Sequence, residues 1–451
     1  MGGRDDVKST TPITREADTA SGSRFGSGRT ARSTDRHSLR YHRDFRRLWI
    51  GDTISQLGTP LSGLAIPVIA VQVLDADERQ MGVLVALESL AFLLIGLPAG
   101  AWVDRWRKKR VLVVNDLARA VLLASLPVAA LVGHLTMGQL YVVATTAGVA
   151  TVFFDVAYQS YLPALVPGAQ VVEGNSKLEA TRSVAQVGGP ALGGALLKVM
   201  SAVGLVGLDA VSYAFSAVFV ARITNAESPP SRQARRPLRT EIAEGLRFVL
   251  GHRLLRRIVA CTAGANLFSS MTTALLTIYV LRRLHLEAAV LGFVFSASAV
   301  GGLLGALVTT RLTRFLGEGR TIALSALAGV PFLAFTPLAA LLAPVVSPVL
   351  VLVAGGVGTW LTVVVYNITQ VSFRQRVCPP ALLGRMNASV RFVVWGVQPV
   401  GALVGGFLGQ GIGVVPTLWI SVAGGALATL PVVSSPLIRM RDLPGPRDDL
   451  P

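Results

Sequence analysis

The sequence predicts an all-α, polytopic membrane protein with about 12 transmembrane helices in two bundles of six. Hydrophobic residues make up 52% of the 451 residues and charged residues 15%, whereas soluble proteins carry about 25% charged residues. Many apolar runs reach the roughly 20 residues that cross about 30 Å of hydrocarbon. These runs lack the two-residue alternation of barrel strands, which favours helices.

The apolar runs fall into two groups separated by a polar stretch. Between residues 1–40 and 439–451, which we interpret as cytoplasmic tails, lie a first bundle at 41–224, a linker at 225–256 and a second bundle at 257–438. The first 40 residues have too few apolar side chains to fold alone, so we expect that tail to be disordered. The predicted spans are 47–73, 81–103, 111–133, 139–162, 179–200, 203–224, 257–280, 289–312, 321–343, 346–370, 389–410 and 414–437.

The linker contains one amphipathic segment. Leu238, Ile242, Leu246 and Val249 recur at helical spacing, which predicts a helix with one apolar face. Such a helix would lie flat on the inner leaflet or along the two bundles.

Lys and Arg mark alternate loops, and positively charged short loops stay in the cytoplasm. We therefore predict a multi-pass protein of the plasma membrane with both termini in the cytoplasm. The formal charge of +17 reflects these loops and attraction to anionic lipid, so we expect a lipid bilayer as partner and no nucleic acid. The cationic loops lie at 43–47, 105–110, 232–257, 311–320, 374–385 and 439–441.

Other chemistry is scarce in the sequence. No Gly-x-x-x-x-Gly-Lys-[Ser/Thr] phosphate loop is present, which argues against ATP-driven pumping. No paired-His metal motif and no Ser, His, Asp constellation stands out among the 5 His. We therefore predict a monomeric protein that is not an enzyme and holds no cofactor or metal. Cys261 and Cys378 are too few for a disulfide framework and are predicted to be reduced.

The two halves share an internal repeat. Arg182, seven residues and Pro190 recur as Arg391, seven residues and Pro399, each followed by a pair of glycines. Parallel six-helix repeats of this kind are a known transporter architecture.

The loop after the second span combines Gly100, Asp104 and Arg105 with a cationic end of Lys108, Lys109 and Arg110. This pattern resembles the signature loop of the major facilitator superfamily. The resemblance implies that Asp104 faces the positive N-terminus of the eleventh span, around 386–391, and braces the outward-open state. A basic loop that only fixes topology is the alternative.

A second motif lies in the fifth span, where Ala185, Gly189, Pro190, Gly193 and Gly194 follow one another. It resembles the antiporter motif of exporter branches of the superfamily. Pro190 removes a helix hydrogen bond and the glycines allow a neighbouring helix to pack closely, which would form a kinked gate. Packing of small residues without any transport direction is the alternative.

Further residues, including Trp49, Thr53, Asp155, Pro163 and Asp209, resemble the branch that contains the enterobactin exporter and macrolide efflux proteins. The resemblance implies a secondary active transporter that exports an amphipathic drug, antibiotic or siderophore by alternating access, with protons as the coupling ion. An importer of a nutrient or metabolite, and a membrane sensor or partner that transports nothing, remain alternatives.

Ionisable residues at membrane depth are candidates for function, because a charge there costs about 2.5–3.5 kcal/mol or more. Glu88 and Asp52 are our candidates for proton coupling. Asp116 and Arg119 predict an internal charge pair, and Asp155, Arg182 and Arg391 predict charges at helix ends that act in gating. Candidate cavity residues are Gln56, Asn266, Asn367, Gln370, Trp395 and Gln398.

Overall fold

The computed structural model describes residues 39–103, 105–167, 170–224, 238–379 and 382–441. All long regular elements in these ranges are helices. They are α1 (Arg43–Gln72), α2 (Glu78–Val103), α3 (Lys108–Leu131), α4 (Met137–Leu165), α5 (Val171–Leu196), α6 (Ala202–Ala221), α7 (Leu238–Gly251), α8 (Arg253–Ile278), α9 (Ala288–Leu316), α10 (Glu318–Leu342), α11 (Pro348–Val377), α12 (Leu383–Gly396), α13 (Gln398–Ile412) and α14 (Val414–Val433).

Over the described residues, 11 helical ranges are long and apolar enough to cross a membrane. The stretch Leu383–Ile412, which contains α12 and α13, counts as one of them. Among the described helices of this length, α5 is the one that is not apolar enough to be counted as a span, although it has 26 residues. It begins at Val171, eight residues before the predicted span, and its first half includes Glu173 and Lys177.

The two halves of the chain repeat the same helix packing. In the first bundle, α1 packs against α5 and α6, α3 against α4 and α6, and α2 against α4. In the second bundle, α8 packs against α13 and α14, α10 against α11 and α14, and α9 against α11. We call the side of the molecule where α6 ends and α8 begins the linker face, and the opposite side the far face.

The bundles contact each other mainly through α2 with α13 and α5 with α9. In the second contact, a Cβ atom on Gly292 would lie 2.7 Å from the Cα atom of Gly194. The Ser296 hydroxyl of α9 also donates a hydrogen bond to the carbonyl oxygen of Val187, at 2.6 Å. The helices therefore approach closely only because the residues at the crossing are small.

The far face is closed by apolar and polar contacts between the bundles. One buried apolar cluster contains Leu61 and Ile69 of α1 together with Leu275 of α8 and Leu291 of α9. Beyond this cluster, the Arg282 guanidinium lies 2.5 Å from the Asp75 carboxylate. The far half of the bundle interface is thus sealed.

The linker helix α7 packs against α12 and α8 of the second bundle. Gly245 lies so close to α12 that a Cβ atom there would be 2.5 Å from the Ser389 hydroxyl. Glu244 forms an ion pair with Arg385 of α12, and Val249 is buried. The helix therefore lies along a bundle, one of the two locations that its amphipathic pattern allows.

The eleventh span is interrupted between Gly396 and Gln398, where α12 ends and α13 begins. Pro399, which has no backbone N–H, stands in the first turn of α13. Asn266 of α8 donates a side-chain hydrogen bond to the carbonyl oxygen of Val394, at 2.9 Å. This amide therefore satisfies a carbonyl at the end of α12.

A second irregularity follows α8, where residues Tyr279–Arg283 form a π-helical turn. The buried Tyr279 hydroxyl donates to the carbonyl oxygen of Thr336 at 2.8 Å and accepts from the Ala340 N–H at 3.0 Å. These two backbone groups are four residues apart in α10 and flank Pro337. The hydroxyl thus bridges two backbone groups of α10 that lie on either side of Pro337.

Candidate functional site: a central cavity

A cavity of about 1290 Å³ lies between the two bundles. Its lining begins at helix ends on the linker face, with Asn175 of α5, Gln375 of α11 and Gly384 of α12. It ends near the middle of the helices, at Thr59 of α1 and Phe92 of α2. The cavity is therefore accessible from the linker face and blocked towards the far face.

Helix α1 contributes an acidic group to the cavity wall. Asp52 is 2% exposed, and the Gln56 amide donates to its carboxylate at 3.4 Å. Tyr158 of α4 approaches the same carboxylate, but its buried hydroxyl makes no hydrogen bond of good geometry within the described residues. Asp52 and Gln56 therefore share one side of α1, as their spacing of four residues predicts.

A buried ion pair reaches the cavity from α3. The Arg119 guanidinium lies 2.5 Å from the Asp116 carboxylate, which also accepts a hydrogen bond from the Ser216 hydroxyl at 2.7 Å. The Arg119 Cζ atom is 4.3 Å from the ring centre of Phe154 and 4.2 Å from that of Tyr213. Pairing and stacking together offset the cost of burying this cation.

The same network continues to α1 and along α6. The Tyr213 hydroxyl is 2.8 Å from the Thr59 hydroxyl, and the Ser212 hydroxyl donates to the Asp209 carboxylate at 2.9 Å. Gly58 lies so close to α6 that a Cβ atom there would be 2.9 Å from the Ser212 Cβ atom. Hydrogen bonds thus fix α1, α3 and α6 around the cavity.

Three charges that the sequence places at helix ends converge on the cavity. Asp155, Arg182 and Arg391 all line it, and their side chains are exposed to its interior. Arg182, Arg391 and Arg119 act electrostatically on the Asp155 carboxylate. The cavity therefore brings together charges from α4, α5 and α12.

The second bundle contributes a wall with aromatic and cationic side chains. The Arg391 Cζ atom lies 5.2 Å from the ring centre of Trp395. Trp395 in turn meets Phe92 of α2 edge to face, with ring centres 5.2 Å apart. This contact between the bundles lies at the deep end of the cavity.

Four of the candidate cavity residues do not appear in its lining. Asn266 is bonded to Val394, and Gln398 is half-buried at the start of α13. The Gln370 amide is buried in α11, 3.5 Å from the Asn367 side chain. Gln56 and Trp395 are the candidates that line the cavity.

Glu88 is half-buried in α2 and does not belong to the cavity lining. It lies one turn beyond Phe92, on the far side of the cavity's deep end. Because α2 begins at Glu78, Glu88 lies about 15 Å from the far end of the helix. The predicted span begins at residue 81, about 10 Å from Glu88 along a helix, so α2 extends further towards the far face than the sequence predicts.

The residues of the loop motif lie on the linker face. Asp104 itself is outside the described residues, so the structure says nothing of its predicted contact. Gly100 has no neighbour within 4 Å of a Cβ position, and Arg105 and Arg110 are exposed. Lys108 is half-buried, and the Lys109 ammonium donates to the carbonyl oxygen of Ile223 at 2.7 Å.

The glycines of the fifth-span motif face two neighbours. A Cβ atom on Gly189 would lie 2.6 Å from Pro60 of α1, and one on Gly193 would lie 3.1 Å from Leu64. Gly194 faces α9 instead, while Ala185 is buried and Pro190 lies within the continuous helix α5. The motif therefore packs α5 on its own bundle and on the other bundle at once.

Glu179, Arg374 and Tyr158 also line the cavity, although they were not among the cavity residues predicted from the sequence. Glu179 and Arg374 lie near helix ends, where a charge that fixes topology gives the same pattern. Within the described residues, no group of three or more His, Cys, Asp or Glu side chains could hold a metal ion.

Comparisons with known proteins agree with this architecture. A family model described as transmembrane secretion effector, of the major facilitator type, matches residues 38–445. The multidrug efflux pump Tap of Mycolicibacterium fortuitum is 27% identical over 402 residues, covering 86% of this chain and 93% of the pump. The enterobactin exporter EntS of Escherichia coli is 27% identical over 382 residues, covering 84% of this chain and 87% of the exporter.

Solved structures show the same fold. A bacterial homologue of the iron transporter ferroportin in its inward-facing state matches with a TM-score of 0.71 at 16% identity, covering 87% of this chain and 98% of that chain. The outward-facing state of that homologue matches with a TM-score of 0.55, again at 16% identity, covering 87% and 99%. The inward-facing structure is therefore the more similar of the two. From the family match and the two six-helix bundles, the chain belongs to the transmembrane secretion effector family of the major facilitator superfamily.

Proposed function

We propose that this transporter exports an amphipathic small molecule across the plasma membrane by alternating access, in exchange for protons. The cavity between the bundles, accessible from the linker face and closed towards the far face, is the observation that carries the proposal. A volume of about 1290 Å³ exceeds the roughly 300–1,000 Å³ of typical ligand pockets. The similarity to Tap and EntS supports the direction of transport.

The orientation follows from the distribution of charge. The loops and helix ends on the linker face carry most of the cations, including Arg105, Arg110 and Arg376, and such positively charged segments remain in the cytoplasm. In this orientation the cavity takes up its substrate from the cytoplasm. Release then requires the contacts on the far face to separate and the cavity to close on the linker face.

The walls of the cavity suit a molecule with both polar and apolar parts. Phe92, Phe392 and Trp395 supply aromatic surface, and Asn175, Gln159 and Asn387 supply amide groups. A mixed lining of this kind binds an apolar body and orients it through a few polar contacts.

Two carboxylates are positioned for proton exchange on opposite sides of the cavity's deep end. Asp52 lies at the cavity wall and can exchange protons with the cytoplasm in this state. Glu88 lies one turn beyond Phe92, and among the described residues it has no hydrogen-bond or ion-pair partner. Opening of the far face would bring water to Glu88, so the two groups could load and release protons alternately.

The test is transport into everted membrane vesicles, in which the cytoplasmic face points outward. With the interior acidified, vesicles containing the protein should accumulate members of a panel of anionic and neutral amphipathic dyes, and a protonophore should abolish the uptake. Asp52→Asn and Glu88→Gln should each lower the pH-dependent uptake at least tenfold. Glu287→Gln serves as the control, because Glu287 is an exposed carboxylate at the far face.

Each component of the proposal can fail separately in this assay. No uptake across a broad panel of compounds would argue against export. Uptake that does not depend on the pH gradient, or that is unchanged by both carboxylate substitutions, would argue against proton exchange through these residues.

A further inference from the structure

We propose that the wall of the second bundle binds the acidic group of the transported molecule, between Arg374 and Arg391. The proposal rests on the exporter function above and narrows its substrates to amphipathic anions. The shared chemistry is a carboxylate, sulfonate or phosphate attached to an apolar or aromatic body.

The first observation is that the acidic side chains of the cavity lining all lie on one wall. The first bundle supplies Asp52, Asp155 and Glu179 to the lining, together with the cations Arg119 and Arg182. The described part of the second bundle supplies no acidic side chain to it. Its contribution contains Arg374 and Arg391 with amide, aromatic and small residues, so this wall is cationic.

The second observation is that these two arginines lack carboxylate partners. Within the described residues, neither Arg374 nor Arg391 forms an ion pair. Their charges act on each other, and the buried Arg374 Nε atom has no hydrogen-bond partner. A bound anion would relieve the repulsion and accept a hydrogen bond from a guanidinium.

Neighbouring arginines on the same helices behave differently. Arg376, two residues beyond Arg374 on α11, is paired with Glu318. Arg385, on the first part of α12, is paired with Glu244. On α11 and α12, the two arginines outside the cavity thus have acidic partners, while Arg374 and Arg391, which line it, form no ion pair within the described residues.

The third observation is the aromatic surface beside Arg391. Trp395 is 36% exposed and Phe392 is 41% exposed, and both line the cavity. The stacking of Arg391 on Trp395 orients the guanidinium plane and leaves its N–H edge able to bind a planar anion with two hydrogen bonds. An aromatic body attached to that anion would contact Trp395 and Phe392.

Charge on the opposite wall adds a condition for binding. Asp155 already interacts electrostatically with Arg391 and Arg182. The substrate anion therefore competes with Asp155 for Arg391, and removal of the Asp155 charge should strengthen anion binding. Asp155→Asn tests this without disturbing the second bundle.

The experiment measures binding of two fluorescent probes to the purified protein in phosphatidylcholine nanodiscs. 8-Anilinonaphthalene-1-sulfonate is an anion, and N-phenyl-1-naphthylamine has the same aromatic body without charge. Arg374→Gln combined with Arg391→Gln should weaken binding of the sulfonate at least tenfold and leave the neutral probe within twofold. Asp155→Asn should strengthen binding of the sulfonate.

The matched controls are Arg376→Gln and Arg385→Gln, which remove arginines from the same helices outside the cavity and should leave both affinities unchanged. Thermal unfolding of each variant verifies that it is folded. Equal losses for both probes, or an unchanged affinity for the sulfonate, would overturn the proposal. So would wild-type protein that fails to bind the sulfonate.

A second arm decides the source of the anion. Nanodiscs that contain phosphatidylglycerol should leave sulfonate binding unchanged if the site serves a soluble substrate, whereas displacement of the probe assigns the site to a lipid headgroup. Because the assay measures binding alone, a positive result with no flux in everted vesicles would reject the exporter function and keep the anion site. Flux of uncharged compounds without binding of the sulfonate would reject the anion site and keep the exporter function.

Discussion

Gly82 of α2 and Gly406 of α13 meet backbone to backbone across the interface between the bundles. A Cβ atom on Gly82 would lie 2.7 Å from the Gly406 Cα atom, and one on Gly406 would lie 2.8 Å from the Gly82 Cα atom. Gly292 of α9 and Gly194 of α5 form the equivalent crossing on the other side. The internal repeat therefore places two matching glycine contacts in the far half of the interface.

Gly406→Ala should open the far face. The added methyl group cannot fit against the backbone of α2, and overpacking of this kind costs about 1–3 kcal/mol. Such a cost shifts the equilibrium between closed and open far faces by about fivefold or more. Spin labels at Val132→Cys and Val345→Cys, one on each bundle, should show a larger population at long distances.

Gly411→Ala is the matched control, because Gly411 lies on the same helix with no atom within 4 Å of its Cβ position. It should leave the distances unchanged. If Gly406→Ala and Gly411→Ala give the same distance distribution, the glycine crossing does not hold the far face closed.

Arg119→Met should strongly destabilise the protein. It leaves the Asp116 carboxylate buried without its cation, and breaking a buried pair in this way costs about 3–5 kcal/mol. Adding Asp116→Asn to Arg119→Met should restore part of the loss, because no buried charge then remains. Thermal unfolding of the purified protein measures both effects, and a double variant less stable than Arg119→Met would contradict this account.

Tyr279→Phe should destabilise the protein by about 1–3 kcal/mol, because it leaves the Ala340 N–H and the Thr336 carbonyl without the bridging hydroxyl. Pro337→Ala restores a backbone N–H to α10, and we expect the helix to need the bridging hydroxyl less in that background. The cost of Tyr279→Phe should then fall. Equal costs in both backgrounds, measured by chemical unfolding, would show that the hydroxyl does not compensate for Pro337.

Alkylation of Cys378 should be slow and should increase with pH. This thiol follows the end of α11, is 5% exposed, and burial raises its pKa. Since the thiolate is the reactive form, a raised pKa lowers the reactive fraction at neutral pH. In a Cys261→Ser background, N-ethylmaleimide should modify it at least about tenfold more slowly than an exposed thiol.

Ser434→Cys supplies that exposed reference, because Ser434 lies on the same face and is exposed. The reference variant should also carry Cys378→Ser, so that each protein has one thiol. Equal rates for the two thiols at neutral pH would contradict the burial of Cys378.

Much of the fold could be predicted from hydropathy, because each apolar run must be long enough to cross the lipid. The start of α5 could not be predicted in this way. Glu173 and Lys177 form an ion pair there and give the first turns of the helix the composition of a soluble helix. The break between α12 and α13 was also missed, although Pro399 marks it. A proline inside a span can lie in a continuous helix, as Pro190 does, or mark an interruption, as Pro399 does, and the neighbouring helices decide which.

The lining of the cavity depends on helix rotation, which one sequence does not fix. Asp52, Gln56 and Trp395 line the cavity, whereas Asn367 and Gln370 of α11 do not. Arg374 was missed because an arginine near a helix end also serves to fix topology. Its lack of an acidic partner becomes visible only when the neighbouring helices are in place.

The interruption of the eleventh span divides it into two helices with different contacts. Helix α13 is clamped by its glycines between α2 and α8, whereas α12 carries Arg391 and Trp395 and is attached to the linker helix through Arg385 and Glu244. We expect the joint at Val397 to let α12 pivot while α13 stays docked. In the transport cycle that we propose, the entrance would then narrow around the substrate before the far face opens.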